Sequence, residues 1–254
     1  PALRAAMMSD IGNTTNKLAD MEFRNLHPYD ENYIIALGGF TYGATTTEMA
    51  SAYSTLVNQG EFTKATNVNK VINTYTNDTI YENDKKSKQI YTPSSSYMTL
   101  DMMKSSAVGE TITAKPALAT NYPEKYQAAK TGTTDHYKDA YFVVATHYYS
   151  NAVWIGREDN ESLNDSQQKL AMLVNGSIQQ VLLKDKEPID FKKPDSVEKS
   201  GQDFTVIKKE EVNNKSKSET HYKDIESKRR SEIVKVNKIR LDSEDYRIIY
   251  GLTK

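Results

Sequence analysis

Lys130-Thr131-Gly132-Thr133-Thr134 is the stretch whose residue types are suited to chemistry. It gathers one amine and three hydroxyls at the end of Gln127–Thr134, a segment that reads as a strand. Glycine within a strand often marks close approach of another backbone or of a ligand, and Gly132 would permit this at a sheet edge. The Lys130 amine and the Thr131 and Thr133 hydroxyls are then expected to meet beside a cleft. Such a set places positive charge and hydrogen bonds, with no nucleophile of its own. A Lys on an exposed edge strand also guards against edge pairing, so the surrounding elements must decide between the two readings.

Those elements are strands and helices with readable boundaries. Ala140–Thr146 and Ala152–Gly156 are rich in aromatic and β-branched residues, and Ser150-Asn151 between them has turn chemistry. Together with the Lys130 strand they predict three consecutive antiparallel strands. Thr45 and Glu48 form a capping box for a helix that carries Met49, Tyr53, Leu56 and Val57 on one face and stops at Gly60. Asn164–Leu183 predicts a second long helix whose stripe of Leu170, Leu173, Val174, Ile178, Val181 and Leu182 should cover a face of the sheet. Shorter helices are expected over Pro1–Ile11, stopped by Gly12, over Thr14–Phe23, and from Thr92-Pro93 to Ala107. A hairpin is expected over Ala65–Asn83, and a turn with a short helix over Gly109–Tyr122.

Two stretches carry a specific resemblance. Lys-Thr-Gly-Thr-Thr, the run Asp139-Ala140-Tyr141-Phe142-Val143 and the strand Ala152-Val153-Trp154-Ile155-Gly156 resemble the third motif and following hairpin of the transpeptidase domain of class A penicillin-binding proteins. Tyr141 stands where that family usually has Trp, and Ala145-Thr146-His147-Tyr148 departs from its usual Gly-Tyr-Thr-Pro. The stretch Leu37–Gly60 is similar to the family's Ala-Leu-Gly-Gly and Glu-Met-Ala segment almost residue for residue. The resemblance covers about residues 1–183 and implies an α/β fold, an antiparallel sheet flanked by helices as in serine β-lactamases and transpeptidases.

The resemblance further implies cross-linking of peptidoglycan stem peptides through a serine acyl-enzyme, at the extracytoplasmic face of a bacterial membrane. Lys130 would place positive charge near the cleft, and Thr131, Gly132, Thr133 and Thr134 would bind substrate. The Thr131 and Thr133 hydroxyls would hold the terminal carboxylate of a D-Ala-D-Ala stem or of a β-lactam, and the Thr133 N–H would supply one oxyanion donor. The family's Ser-x-x-Lys nucleophile and Ser-x-Asn motifs precede Lys-Thr-Gly, and no Ser-x-x-Lys precedes Lys130 here. Ser166-x-x-Lys169, Ser196-x-x-Lys199 and Ser162-x-Asn164 match only after it, and Thr14-x-x-Lys17 has Thr in place of Ser. This chain alone is therefore expected to be inactive. A non-catalytic wall-binding scaffold and a β-lactamase or β-lactam sensor stay open as alternatives.

Composition narrows the rest. With 254 residues the chain can bury one good core, and a net charge of -1 does not imply nucleic acid as a partner. No cysteine means no disulfide framework, thiolate chemistry or Cys-based metal site, and His27, His136, His147 and His221 lack metal-ligand spacing. No metal or cofactor is expected. No run reaches the about 20 apolar residues of a membrane helix, so any anchor is expected upstream. Pro1 is not an initiator Met, and a processed product or fragment is expected. Residues 184–254 are nearly half charged and predict a solvated linker, with Phe204–Ile207 and Ile233–Leu241 alternating like strands of a small β appendage.

Overall fold

The computed structural model describes residues 2–84, 86–105, 121–201 and 203–212. The expected turn and short helix over Gly109–Tyr122 lies almost wholly outside the described residues, as do Ile233–Leu241 and His221. The described residues divide between Gly43 and Ala44 into two compact units.

The first unit contains helices α1 (Ala2–Met7) and α2 (Ile11–Asp20), followed by short 3-10 turns at Pro28–Asp30 and Tyr33–Leu37. Gly12 does not stop a helix here. Asp10 caps α2 instead, its carboxylate accepting the N–H groups of Gly12 (3.1 Å) and Asn13 (3.4 Å). The carboxylate of buried Asp30 accepts from the His27 N–H (2.8 Å) and from the Thr41 N–H and hydroxyl (2.7 and 2.6 Å), which satisfies a charge removed from water.

The second unit opens with helix α3 (Thr46–Val57), capped as expected. The Thr45 hydroxyl accepts the Glu48 N–H (3.2 Å), and the Glu48 carboxylate accepts the Thr45 N–H (2.7 Å). After α3 the chain reverses at Gly60, whose φ of +87° suits glycine. Strands β1 (Glu61–Thr63), β2 (Lys70–Ile72), β3 (Thr79–Glu82) and β4 (Ser87–Gln89) then form two antiparallel ribbons, β1 with β4 and β2 with β3. Helix α4 (Pro93–Lys104) follows, with Thr92 accepting the Ser95 N–H (3.2 Å) as its cap.

Strands β5 (Ala128–Thr133), β6 (Asp139–Ala145) and β7 (Ser150–Gly156) form an antiparallel sheet in the order β5-β6-β7. The reversal between β6 and β7 falls at Thr146–Tyr149 rather than at Ser150-Asn151. The Thr146 hydroxyl accepts the Tyr149 N–H (3.1 Å), and Ser150 and Asn151 are already paired with Ala145 and Val144. Central β6 is covered on both faces, which explains its unbroken apolar run Phe142-Val143-Val144-Ala145, each 2% exposed or less. Burying Phe142 alone contributes about 2–3 kcal/mol relative to exposure.

One face of the sheet, with Ala129, Ala140, Phe142 and Val144, packs on helix α5 (Asp165–Leu182) through Ala171 and Met172. The other face is covered by α3 and α4. Most of the stripe predicted to lie on the sheet faces solvent instead: Leu173 is 49% and Val181 75% exposed, and Leu170 and Val174 are exposed too, while Ile178 and Leu182 are half-buried. Ala171, Asn175, Gly176 and Gln179 are buried instead. The Asn175 amide donates to the carbonyls of Phe142 (3.2 Å) and Asn151 (3.1 Å). A small, polar helix face lets the helix axis approach the strands closely; these hydrogen bonds serve the NH2 group of the buried Asn175 amide, while its Oδ1 has no hydrogen-bond partner among the described residues.

The tail likewise departs from a solvated linker over its described part. Strands β8 (Val197–Ser200) and β9 (Asp203–Val206) form a hairpin, and Phe191, Val197 and Phe204 join Tyr97, Leu100, Ala128 and Ala145 in one cluster. Glu210 accepts the Ser94 N–H (2.9 Å) at the start of α4. Few apolar residues suffice here because Phe191, Val197 and Phe204 all join this cluster, although Ile189, Val206 and Ile207 stay exposed.

Candidate functional site

β5 is an edge strand, paired with β6 on one side only. The Thr134 N–H donates to the Asp139 carbonyl (3.2 Å), so in this register residues 132, 130 and 128 exchange backbone hydrogen bonds with β6. The N–H and C=O groups of Thr131 and Thr133 therefore face the free edge. The Lys130 ammonium folds onto that edge and donates to the Thr131 carbonyl (2.6 Å).

Strand alternation separates the residues that were expected to meet. Lys130 and Gly132 stand on the α3–α4 face, whereas the side chains of Thr131 and Thr133 leave toward the α5 face. What they share is the edge itself, where Lys130, Gly132 and Thr133 are exposed. Gly132 lies opposite Tyr141, and a Cβ at 132 would come within 3.2 Å of the Tyr141 Cβ. The Tyr141 hydroxyl donates to the Ala44 carbonyl (2.5 Å) beside the start of α3. Burial, with smaller contributions from the charges of Asp139 and Glu48, pushes the Tyr141 phenol up to about 12.

Thr134 is engaged in the turn. Its hydroxyl donates to Asp139 Oδ2 (3.0 Å) and accepts the Asp139 N–H (2.9 Å). Asp139 Oδ1 accepts the Trp154 indole N–H (2.9 Å), which ties the turn to β7. Between these ends His136 (φ 60°) and Tyr137 (φ 56°) are both left-handed. For non-glycine residues this costs on the order of 1 kcal/mol each. The sequence alone leaves Asp135, His136 and Tyr137 as a solvated turn or a substrate contact, the former favoured, and marks no role for Asp139. The Thr134-to-Asp139 spacing, with an indole acid-facing across the hairpin, was the available signal.

The remaining motif matches do not assemble beside β5. Ser166 and Lys169 are exposed in the first turn of α5, and Ser162 is exposed just before it. Ser196 is buried, its hydroxyl donating to Glu210. Thr14 and Lys17 lie in α2, where burial lowers the Lys17 amine. A groove of about 410 Å³ lined by Thr46, Ser51, Ser54, Thr63, Ser150 and Asn151 runs between α3, β1 and β7, at the opposite edge of the sheet from Lys130. Among the described residues no group of three or more His, Asp or Glu side chains is placed to hold a metal ion, and no helix is long and apolar enough to cross a membrane.

A helix-covered antiparallel sheet whose edge strand carries Lys130-Thr131-Gly132 defines an α/β module. Residues 10–161 match the family described as the penicillin binding protein transpeptidase domain. The chain belongs to this family of transpeptidase-type enzymes, and its relatives place it with the class A members. Penicillin-binding protein 4 of Bacillus subtilis is 34% identical over 165 residues, covering 64% of this chain and 25% of that protein. Penicillin-binding protein 1A of Clostridium perfringens is 32% identical over 157 residues, covering 62% of this chain and 18% of that protein. Among solved structures, penicillin-binding protein 1A of Haemophilus influenzae matches with a TM-score of 0.59 at 16% identity, over 77% of this chain and 34% of that one. PonA1 of Mycobacterium tuberculosis matches with a TM-score of 0.50 at 22% identity, over 72% and 48%. These structural likenesses speak for the fold alone. The chain spans about a quarter or less of the length of these curated relatives.

Proposed function

We propose that this chain supplies the Lys-Thr-Gly wall of a peptidoglycan D,D-transpeptidase. The observation that carries the reading is the free edge of β5, where the Lys130 ammonium and the outward backbone groups of Thr131 and Thr133 lie together in a transpeptidase-family domain. In such a reaction a serine hydroxyl attacks the carbonyl between the two D-Ala residues of a stem peptide. The terminal D-Ala leaves, and an amine of a second stem takes the acyl group from the serine. A β-lactam acylates the same serine.

Each residue has a role in this scheme. The Lys130 ammonium makes a second, neighbouring lysine easier to deprotonate, because like charges oppose each other. The Thr131 and Thr133 hydroxyls hold the donor's terminal carboxylate, and the outward Thr133 N–H donates to the developing oxyanion. Gly132 lets β5 lie close against β6 opposite Tyr141. Thr134 acts through the turn rather than on substrate.

The reaction needs a serine and its lysine from a Ser-x-x-Lys, and none precedes Lys130 here. This chain alone is inactive. The intact protein works at the extracytoplasmic membrane face, held by an upstream segment and joined to an upstream glycosyltransferase. The test is to incubate the full-length protein and this chain separately with a β-lactam and weigh each intact. An adduct on the full-length protein only is the expected result. An adduct on this chain refutes its inactivity, and an adduct on neither favours a non-catalytic scaffold.

A further inference from the structure

The connection from Thr134 to Asp139 is restrained more than a solvated turn requires. His136 and Tyr137 are consecutive and both left-handed, a backbone that non-glycine residues keep only where their surroundings impose it. The Tyr137 N–H donates to the Thr134 carbonyl (3.0 Å), and the Tyr137 carbonyl accepts the N–H of buried Leu163 (2.8 Å). Thr134, Asp139 and Trp154 lock the two ends. All of these restraints act through the backbone or through other side chains.

The imidazole of His136 and the phenol of Tyr137 take no part in them. Both residues are exposed, Tyr137 by 55%, and no hydrogen bond or ring contact among the described residues engages either side chain. Glycine would satisfy the backbone at both positions without strain, so the fold does not account for a histidine and a tyrosine there. The turn instead fixes the backbone from which two exposed ring side chains project, immediately beyond the free edge of β5.

The direction of a bound donor connects that edge to the turn. In the pose proposed above, the Thr131 and Thr133 hydroxyls hold the terminal carboxylate and the scissile carbonyl sits at the Thr133 N–H, so the rest of the stem peptide lies past Thr133, beside residues 134–137. An extended peptide advances about 3.3 Å per residue, so the residues just before the terminal dipeptide reach the two rings. We propose that His136 and Tyr137 form a rigid recognition turn that contacts the stem peptide on the donor side of the scissile bond and sets donor specificity. The phenol packs on aliphatic and amide surface of the stem, and the imidazole hydrogen-bonds its polar groups. This inference rests on the transpeptidase reading above.

The test uses His136→Gly, Tyr137→Gly and the double variant in the full-length protein. Glycine keeps the left-handed backbone, so each variant should melt at the wild-type temperature or above it. Two probes are compared, a stem pentapeptide donor and 6-aminopenicillanic acid, a β-lactam without an acyl side chain. The expected result is a rise in KM of about tenfold for the stem peptide in the double variant, with kcat and the rate of acylation by 6-aminopenicillanic acid within about twofold of wild type. An unchanged KM for the stem peptide overturns the proposal, as do equal losses toward both probes, which would make the turn a mere support for β5. A wild-type protein that neither probe acylates overturns the transpeptidase reading and this inference together, whereas a reactive wild type with indifferent variants overturns the recognition turn alone.

Discussion

Tyr141 links the candidate site to the start of α3, because its Cβ faces Gly132 and its hydroxyl ends on the Ala44 carbonyl. Tyr141→Phe removes that hydrogen bond and leaves a carbonyl unserved, which should lower stability by about 1 kcal/mol in urea unfolding. Burial also pushes the phenols of Tyr141 and Tyr91 up to about 12. The folded chain then keeps protons that the unfolded chain gives up near the usual value of about 10. Stability from this source is full below about pH 10 and is lost as pH rises toward about 12. Urea midpoints measured across that window should fall in the wild type and fall less in Tyr141→Phe; parallel curves would refute the assignment. Lys130 belongs to function instead of stability. Lys130→Ala should slow β-lactam acylation of the full-length protein by about 100-fold or more while leaving its melting temperature in place. The edge motif was legible because Lys, Gly and Thr are unusual together at the end of a strand. The left-handed pair was not, since neither His nor Tyr signals φ > 0, and Asp139 acts through a partner fifteen positions on, Trp154.

Helix α5 seats a small and polar face on the sheet, Ala171, Asn175, Gly176 and Gln179, whereas α3 buries Glu48, Ser51 and Thr55 and packs Tyr53, Leu56 and Val57 against the cluster around Ala128 and Ala145. Helix α3 and its cap were readable, because Thr45-x-x-Glu48 closes reciprocal hydrogen bonds within four residues; Asn164-x-x-Gln167 caps α5 in the same way. Facing was not readable for α5. An apolar stripe marks the side of a helix that avoids water, but it does not say which neighbour that side avoids water with, and here close approach to β6 and β7 selected the opposite side. Two substitutions separate these descriptions. Asn175→Ala deletes the amide that bridges the Phe142 and Asn151 carbonyls and should cost about 1–3 kcal/mol, whereas Leu173→Ser should change stability by less than about 0.5 kcal/mol. The reverse order in chemical denaturation would put the stripe back on the sheet.

At the scale of the molecule, averaged composition concealed what single residues do. Residues 184–254 are too charged for a core of their own, yet Phe191, Val197 and Phe204 complete the cluster around Tyr97, Leu100, Ala128 and Ala145. Ending the chain at Leu183 should therefore lower the melting temperature and raise binding of a hydrophobic dye, because Ala128 and Ala145 lie under that cover; an unchanged melt would make the segment a dispensable tail. The outer face of α5 raises the opposite question, since Leu170, Leu173, Val174 and Val181 are between 40% and 75% exposed. Tyr75 and Ile80 add exposed apolar surface on the β2–β3 ribbon. Contiguous apolar surface beyond a few hundred Å² promotes association, so this chain alone should self-associate at micromolar concentration in sedimentation velocity. Leu173→Ser with Val181→Ser should raise the monomer fraction without lowering stability, because neither side chain is packed on the sheet. A wild-type chain that sediments as a monomer and melts cooperatively would show that the exposed stripe carries no such cost.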